Sequence, residues 1–194
     1  MKILVLTIHS DDTKQKTKPL RESCLYHGFE FQELIYGFTF GQQYHLIAEW
    51  IRTYQGECTH ILYTDAWDTL CFGSHKETCD NFIELKCKML ISGEKGCFPH
   101  VEGIHTPDMY PETNTPWKYV DGGGCLFEIE YFKELTSARP FGTYYIDPHY
   151  LFGCFNSDRD NIKIDNDCNI FQTLAHSIYP PEKESEWELI NNSH

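Results

Sequence analysis

The chain has no Cys-x-x-Cys spacing, although it carries nine cysteines, at 24, 58, 71, 79, 87, 97, 125, 154 and 168. An odd number without paired spacing speaks against a disulfide framework and suggests no zinc site; small, buried free thiols are the expected reading. No apolar run approaches the roughly 20 residues a helix needs to cross a bilayer. The opening Met1-Lys2-Ile3-Leu4-Val5-Leu6 is apolar, yet too short for the core of a secretory signal and without a cleavage pattern. It reads as a first strand, and a cytoplasmic protein is expected. Basic residues are scarce, with 16 Lys and Arg against 29 Asp and Glu and a formal charge of −13. Such a surface repels phosphate backbones, which argues against broad capture of nucleic acid and leaves room only for a local basic groove. There is no Gly-x-Gly-x-x-Gly after the first strand and no Gly-Lys-Ser/Thr, so dinucleotide oxidoreductases and P-loop enzymes lose support. Internal repeats, low-complexity blocks and a second-domain boundary are also missing.

What is present fits one folded domain. The 194 residues include 41% hydrophobic and 15% aromatic side chains, enough for a substantial core. Residues 2–8 form an apolar run, followed by a polar loop at 9–12. Residues 20–27 have helical character, with Gly28 placed as the C′ residue. Residues 29–35 alternate as a second strand, and 37–41 form an aromatic-rich loop. Leu46, Ile47, Trp50, Ile51 and Tyr54 recur at helical spacing, with Gly56 as the stop. Strands are expected at 60–64 and 88–92, with a helix over 79–86 between them. Residues 93–117 hold four prolines (99, 107, 111, 116) and read as a long loop of the kind that carries function. A strand is expected around Tyr119-Val120 and Cys125-Leu126-Phe127, helices over 129–135 and 147–155, and a short strand at 162–164 ending in Asp165. A domain over 1–180 and a polar, mobile tail over 181–194 complete the reading. The alternation of strands and helices predicts an α/β fold with a mixed, mostly parallel sheet flanked by helices.

The candidate chemistry centres on Ile61 to Leu70. An apolar strand there ends at Asp65, with Asp68 three residues on and Trp67 between them. Two carboxylates released from a strand end can hold a hard cation such as Mg²⁺ or Mn²⁺, which could bridge the phosphates of a sugar nucleotide. Acids in turns also serve as helix caps. Trp67 is either a base-stacking ring or a core aromatic. Glu94 follows a strand as a catalytic group or a loop charge. Asp121 precedes Gly122-Gly123-Gly124, glycines that let backbone approach a ligand or make a bend entering a strand. Asp147 followed by Pro148 is accounted for as an N-cap with proline at N1. Asp165 carries the same ambiguity.

In order, these segments resemble the glycosyltransferase domain of the procollagen lysyl hydroxylases and their relatives. Thr64-Asp65-Ala66-Trp67-Asp68 is similar to that family's Asp-x-x-Asp with an aromatic third residue. Ser92-Gly93-Glu94 with Cys97-Phe98-Pro99, Tyr110-Pro111-Glu112, Val120-Asp121-Gly122-Gly123-Gly124, and Ile164-Asp165 through Ile170-Phe171-Gln172 are similar to further family segments. The similarity runs from the first strand to about Leu174. It implies a GT-A fold, a UDP-sugar donor and Mn²⁺ (or Mg²⁺), with Asp65 and Asp68 on the metal and Trp67 on the uracil. Thr7 and Ser10 would lie near the uridine and Gly123 and Gly124 near the donor. Asp121, Asp147 and Glu94 are the catalytic candidates, the first two near sugar or acceptor. Glucosyl or galactosyl transfer to a hydroxyl acceptor, hydroxylysine-like or otherwise, would be retaining.

The chain departs from this pattern at three places. Ile146-Asp147-Pro148-His149 replaces an acidic run ending Asp-Asp-Gln, which leaves the acceptor open. Gln43 stands where a lysine is usual. The family's third metal ligand, a histidine in a His-Gly-Asn-Gly-like segment, has no counterpart in Asn191-Asn192-Ser193-His194. Either His194 takes that place, or the segment lies past residue 194, or the ligand is missing. No hydroxylase segment is present, so no lysyl hydroxylation is implied. Two other readings stand beside this one: glycosyl transfer to hydroxymethylated bases in DNA, against which the charge counts, and a non-catalytic sugar-nucleotide-binding protein.

Overall fold

Ile3–His9 is buried at every position, as expected of a strand covered on both faces. This strand, β1, lies inside the sheet of a computed structural model that describes residues 1–10, 16–36, 42–141 and 146–174. The expected loop at 37–41, the tail at 181–194 and His194 lie outside the described residues. The other strands are β2 (Glu30–Ile35), β3 (His60–Thr64), β4 (Met89–Glu94), β5 (Tyr119–Glu128) and β6 (Ile162–Asp165). They form one sheet in the order β2-β1-β3-β5-β4-β6. The pairs β1–β2, β1–β3 and β4–β6 are parallel, and β5 runs antiparallel to both its neighbours. The mostly parallel α/β sheet predicted from the alternation is therefore present. Because β5 alone is reversed, its first residues arrive at the edge where β1, β3, β4 and β6 end.

Among the described residues five α-helices cover the sheet: α1 (Lys18–Tyr26), α2 (Gln43–Thr53), α3 (His75–Leu85), α4 (Ile129–Ala138) and α5 (Asp147–Ser157). Alternation along the strands sends side chains to opposite faces. Leu4, Leu6, Met89 and Ile91 pack with α2, α4 and α5, while Ile3, Val5 and Leu90 pack with α1 and α3. Gly28 has φ of +84° after α1, the left-handed conformation foreseen for its C′ residue. Helix α3 begins at His75, ahead of the helix expected over 79–86. Ser74 and Glu77 form a reciprocal capping box there, a Ser-x-x-Glu signal present in the sequence. No helix among the described residues is long and apolar enough to cross a membrane.

The expected N-cap role of Asp147 is corrected. Ile146 is the N-cap of α5, Asp147 is its first helical residue, and Pro148 follows at the second position. The Asp147 carboxylate instead reaches across to α2, where it accepts hydrogen bonds from backbone N–H groups.

Candidate active site at the carboxyl edge of the sheet

Strand β3 delivers Asp65. Ile61, Tyr63 and Thr64 are buried and fix the backbone, and the Asp65 N–H donates to the Gly123 carbonyl at 2.9 Å. Tyr63 lies two residues back, on the same side of the strand, and its hydroxyl donates to Asp65 Oδ1 at 3.0 Å. Across the sheet, Ile91 pairs with Cys125 but Gly93 pairs with Val120. Residues 121–124 therefore stand opposite Ser92 alone, a bulge that pushes this stretch of β5 towards Asp65. A Cβ built on Gly123 would lie 2.9 Å from Asp65 Oδ2, so glycine is what permits the approach. The Gly123 N–H donates to Asp121 Oδ1 at 2.9 Å, and the Thr173 hydroxyl lies 3.2 Å from Asp121 Oδ2.

Burial pushes the Asp65 carboxyl up to about 6, and the charges of Asp121 and Asp68 add to this, while the Tyr63 hydroxyl opposes it. Burial also raises Asp121, against hydrogen bonds from Gly123, Ser92 and Thr173. Among the described residues, no Lys or Arg forms an ion pair with Asp65, Asp68 or Asp121. Among the described residues the site thus concentrates negative charge without an ion-paired Lys or Arg. Asp68 is exposed on the following turn. Trp67 is 49% exposed and therefore not a core aromatic; the Lys16 ammonium sits 4.7 Å from its ring centroid.

The other predicted residues separate by environment. Thr7 is fully buried and donates to the Thr64 carbonyl at 2.8 Å, so its hydroxyl joins β1 to β3. Ser10 is half-buried where β1 ends, and Glu94 is half-buried at the end of β4, paired with Tyr119. Gly124 faces away from Asp65: a Cβ there would meet the Phe171 ring at 2.9 Å and Ser92 Cβ at 3.1 Å. Asp165 is a structural anchor. It accepts from the N–H groups of Asn169, Ile170 and Phe171 at 2.7–2.8 Å, which lays the segment carrying Thr173 back over the site. Tyr63 and Thr173 were not among the sequence candidates. The two-residue alternation ending at Asp65 points to Tyr63; nothing local marks Thr173.

Asp65 and Asp68 offer hard oxygen donors suited to Mg²⁺ or Mn²⁺. Their crowding with Asp121 gives a cation an electrostatic reason to bind. Among the described residues, however, no three His, Cys, Asp or Glu side chains are grouped to hold a metal ion.

The mixed, mostly parallel six-stranded sheet flanked by helices is the fold of the GT-A glycosyltransferases, and solved structures of that class are similar to it. One is a glycosyltransferase involved in glycosylation of the major capsid of PBCV-1. It is 15% identical with a TM-score of 0.52, over 86% of this chain and 82% of that one. Another is the galactosyltransferase LgtC in complex with donor and acceptor sugar analogs, 14% identical with a TM-score of 0.50, over 83% and 72%. Mouse xyloside xylosyltransferase 1 is 9% identical with a TM-score of 0.50, over 84% of each chain. The chain belongs to the PLOD GT domain family, whose profile matches residues 2–188. No curated protein sequence matches it.

Proposed function

We propose that the protein is a metal-dependent hexosyltransferase that moves glucose or galactose from a UDP-sugar to a hydroxyl acceptor. The observation that carries this reading is the approach of Asp65 and Asp121, whose Oδ2 and Oδ1 lie 2.9 and 3.3 Å from a Cβ built on Gly123, with Asp68 and the exposed Trp67 on the turn after Asp65, in a chain of a glycosyltransferase family. Asp65 and Asp68 would hold Mn²⁺, which when bound offsets charge on the diphosphate leaving group. With no third protein ligand among the described residues, donor phosphate oxygens and water would complete the ion's shell. Trp67 presents an open face for the uracil. Asp121, held by the Gly123 N–H and facing the Thr173 hydroxyl, can accept a hydrogen bond from a sugar hydroxyl. Glu94 lies at the same edge, where an acceptor would enter. By family likeness the acceptor hydroxyl would be on a hydroxylysine-like side chain or on another hydroxyl compound, and the transfer would be retaining.

The incomplete ligand set favours one alternative, a sugar-nucleotide-binding protein without turnover. A UDP-release assay over several UDP-sugars, with and without Mn²⁺, separates the two. Mn²⁺-dependent release that falls by about 100-fold or more in Asp65→Ala and Asp68→Ala supports the enzyme. UDP-sugar binding with no release over hours supports the alternative. Release unaffected by both substitutions refutes the site.

A further inference from the structure

Asp147 was a catalytic candidate, yet its carboxylate is already engaged. It is 5% exposed, accepts the Gln43 N–H on Oδ2 at 2.9 Å, and lies 3.4 Å from the Tyr44 N–H on Oδ1. These are the first two amides of α2, and Gln42, the N-cap of that helix, makes no side-chain cap bond. The first turn of a helix leaves N–H groups without intrahelical partners. Asp147 supplies their acceptor from another helix, and as an anion it also suits the positive end of the α2 dipole.

The helix it caps leads to the acids. Tyr44 is fully buried, and its hydroxyl reaches the Gly122 carbonyl at 3.3 Å. Its ring meets Tyr63 edge to face, with centroids 5.2 Å apart. The Tyr63 hydroxyl in turn donates to Asp65 Oδ1. Pro148, next to Asp147, packs where a Gly122 Cβ would be, 3.1 Å away. Asp147 thus bears on both sides of the bulge, through α2 and through Pro148.

We propose that Asp147 is a positioning residue: it fixes the start of α2, and Tyr44 and Tyr63 carry that placement to the Asp65 carboxylate and the Gly122 carbonyl. One Asp65 oxygen is held by Tyr63, which leaves Oδ2 turned to the space between Gly123 and Asp121. This inference rests on the reading of that space as a cation–diphosphate seat only for its functional consequence; the relay itself is tested without ligand.

The test uses Asp147→Asn, Asp147→Ala and Tyr63→Phe in the full chain. Amide hydrogen exchange and backbone chemical shifts are followed in the ligand-free protein, and Mn²⁺–UDP binding is followed by calorimetry. In Asp147→Ala, exchange at Gln43 and Tyr44 accelerates, and shifts move at Tyr63, Asp65 and Gly122. Asp147→Asn, which keeps an acceptor oxygen, recovers most of both effects. If the alanine variant does not fold, the asparagine variant shows smaller displacements at the same residues. Tyr63→Phe keeps the α2 amides protected and weakens Mn²⁺–UDP by roughly 10-fold, the scale of losing a group that orients a metal ligand. Shifts confined to α2 overturn the relay. So does a Tyr63→Phe protein that binds Mn²⁺–UDP as tightly as wild type. An Asp147→Asn protein with wild-type shifts and affinity but kcat reduced by roughly 100-fold or more would place Asp147 in the chemistry instead. If wild type fails to bind Mn²⁺–UDP, the proposed function fails, while the exchange and shift results still decide the relay.

Discussion

Replacing Asp65 by asparagine should make the cation-free protein more stable while removing its function. An ordinary aspartate titrates near 3.8, and Asp65 is raised to about 6 by burial first and by the Asp121 and Asp68 charges second. A shift of about two units at 1.36 kcal/mol per unit corresponds to roughly 3 kcal/mol against ionising Asp65 in the folded state. The exposed Asp68 is screened by solvent, so about 1–3 kcal/mol is a fair range. The sign follows from proton linkage. Between pH 4 and 6 the folded state holds a proton that the unfolded state has released, so stability falls as pH rises through that window and stays low above it. Asparagine keeps the shape, can still accept from Tyr63, and carries no charge. For a chain of this size the gain should raise Tm by roughly 2–12 °C at pH 8. The assay is thermal unfolding in chelator at several values from pH 4 to pH 8. The gap should be full at pH 8 and narrow towards pH 4. Mn²⁺ with UDP should then raise the wild-type Tm and leave the variant unmoved. A variant no more stable than wild type at pH 8, or a gap independent of pH, would refute the argument that uncompensated charge is stored at Asp65.

Two further perturbations address the parts around that acid. Gly123→Ala places a methyl group 2.9 Å from Asp65 Oδ2 and 3.3 Å from Asp121 Oδ1, so the carboxylates must move. A cost of about 1–3 kcal/mol in unfolding free energy is expected, with a higher Mn²⁺ requirement in the UDP-release assay; wild-type values in both would show that the close approach has no consequence. Trp67→Ala should raise the KM for the UDP-sugar by roughly 5- to 100-fold while Tm changes by little, because the ring is half exposed and base–aromatic stacking is worth about 1–3 kcal/mol. Trp67→Phe should recover much of the loss, and a large drop in Tm with unchanged KM would mark the ring as structural.

The sheet was legible because its signals are local. The continuous apolar run of β1 and the alternation of β2 need no knowledge of neighbours, and neither does the position of Asp65 at the end of an apolar strand. Helix α3 shows the same: its start is marked by the spacing of Ser74 and Glu77, a short-range signal. What escaped the sequence is what depends on which atoms meet across the fold. Asp147 has the local pattern of an N-cap, and it is a cap, but of α2. Gly123 and Gly124 look identical in sequence. One makes room for the Asp65 carboxylate and the other for the Phe171 ring, a division set by a register shift against β4 that no window of residues encodes.

The same contrast separates the acids that anchor structure from those left to meet a ligand. Asp165 is as buried as any acid among the described residues, yet it is fully supplied with donors from residues 169–171. Asp147 has two backbone amides, and its carboxyl is still raised to about 6, chiefly by burial with Asp65 adding to it. Asp65 has a single hydroxyl and two acidic neighbours. Along that series the protein supplies less and less of what an ionised carboxylate requires, and a buried charge without partners is costly to hold. A folded chain keeps such a group where something outside the chain completes it. By that argument the deficit at Asp65, more than the spacing of Asp65 and Asp68, is what supports the proposed seat for a cation and its diphosphate.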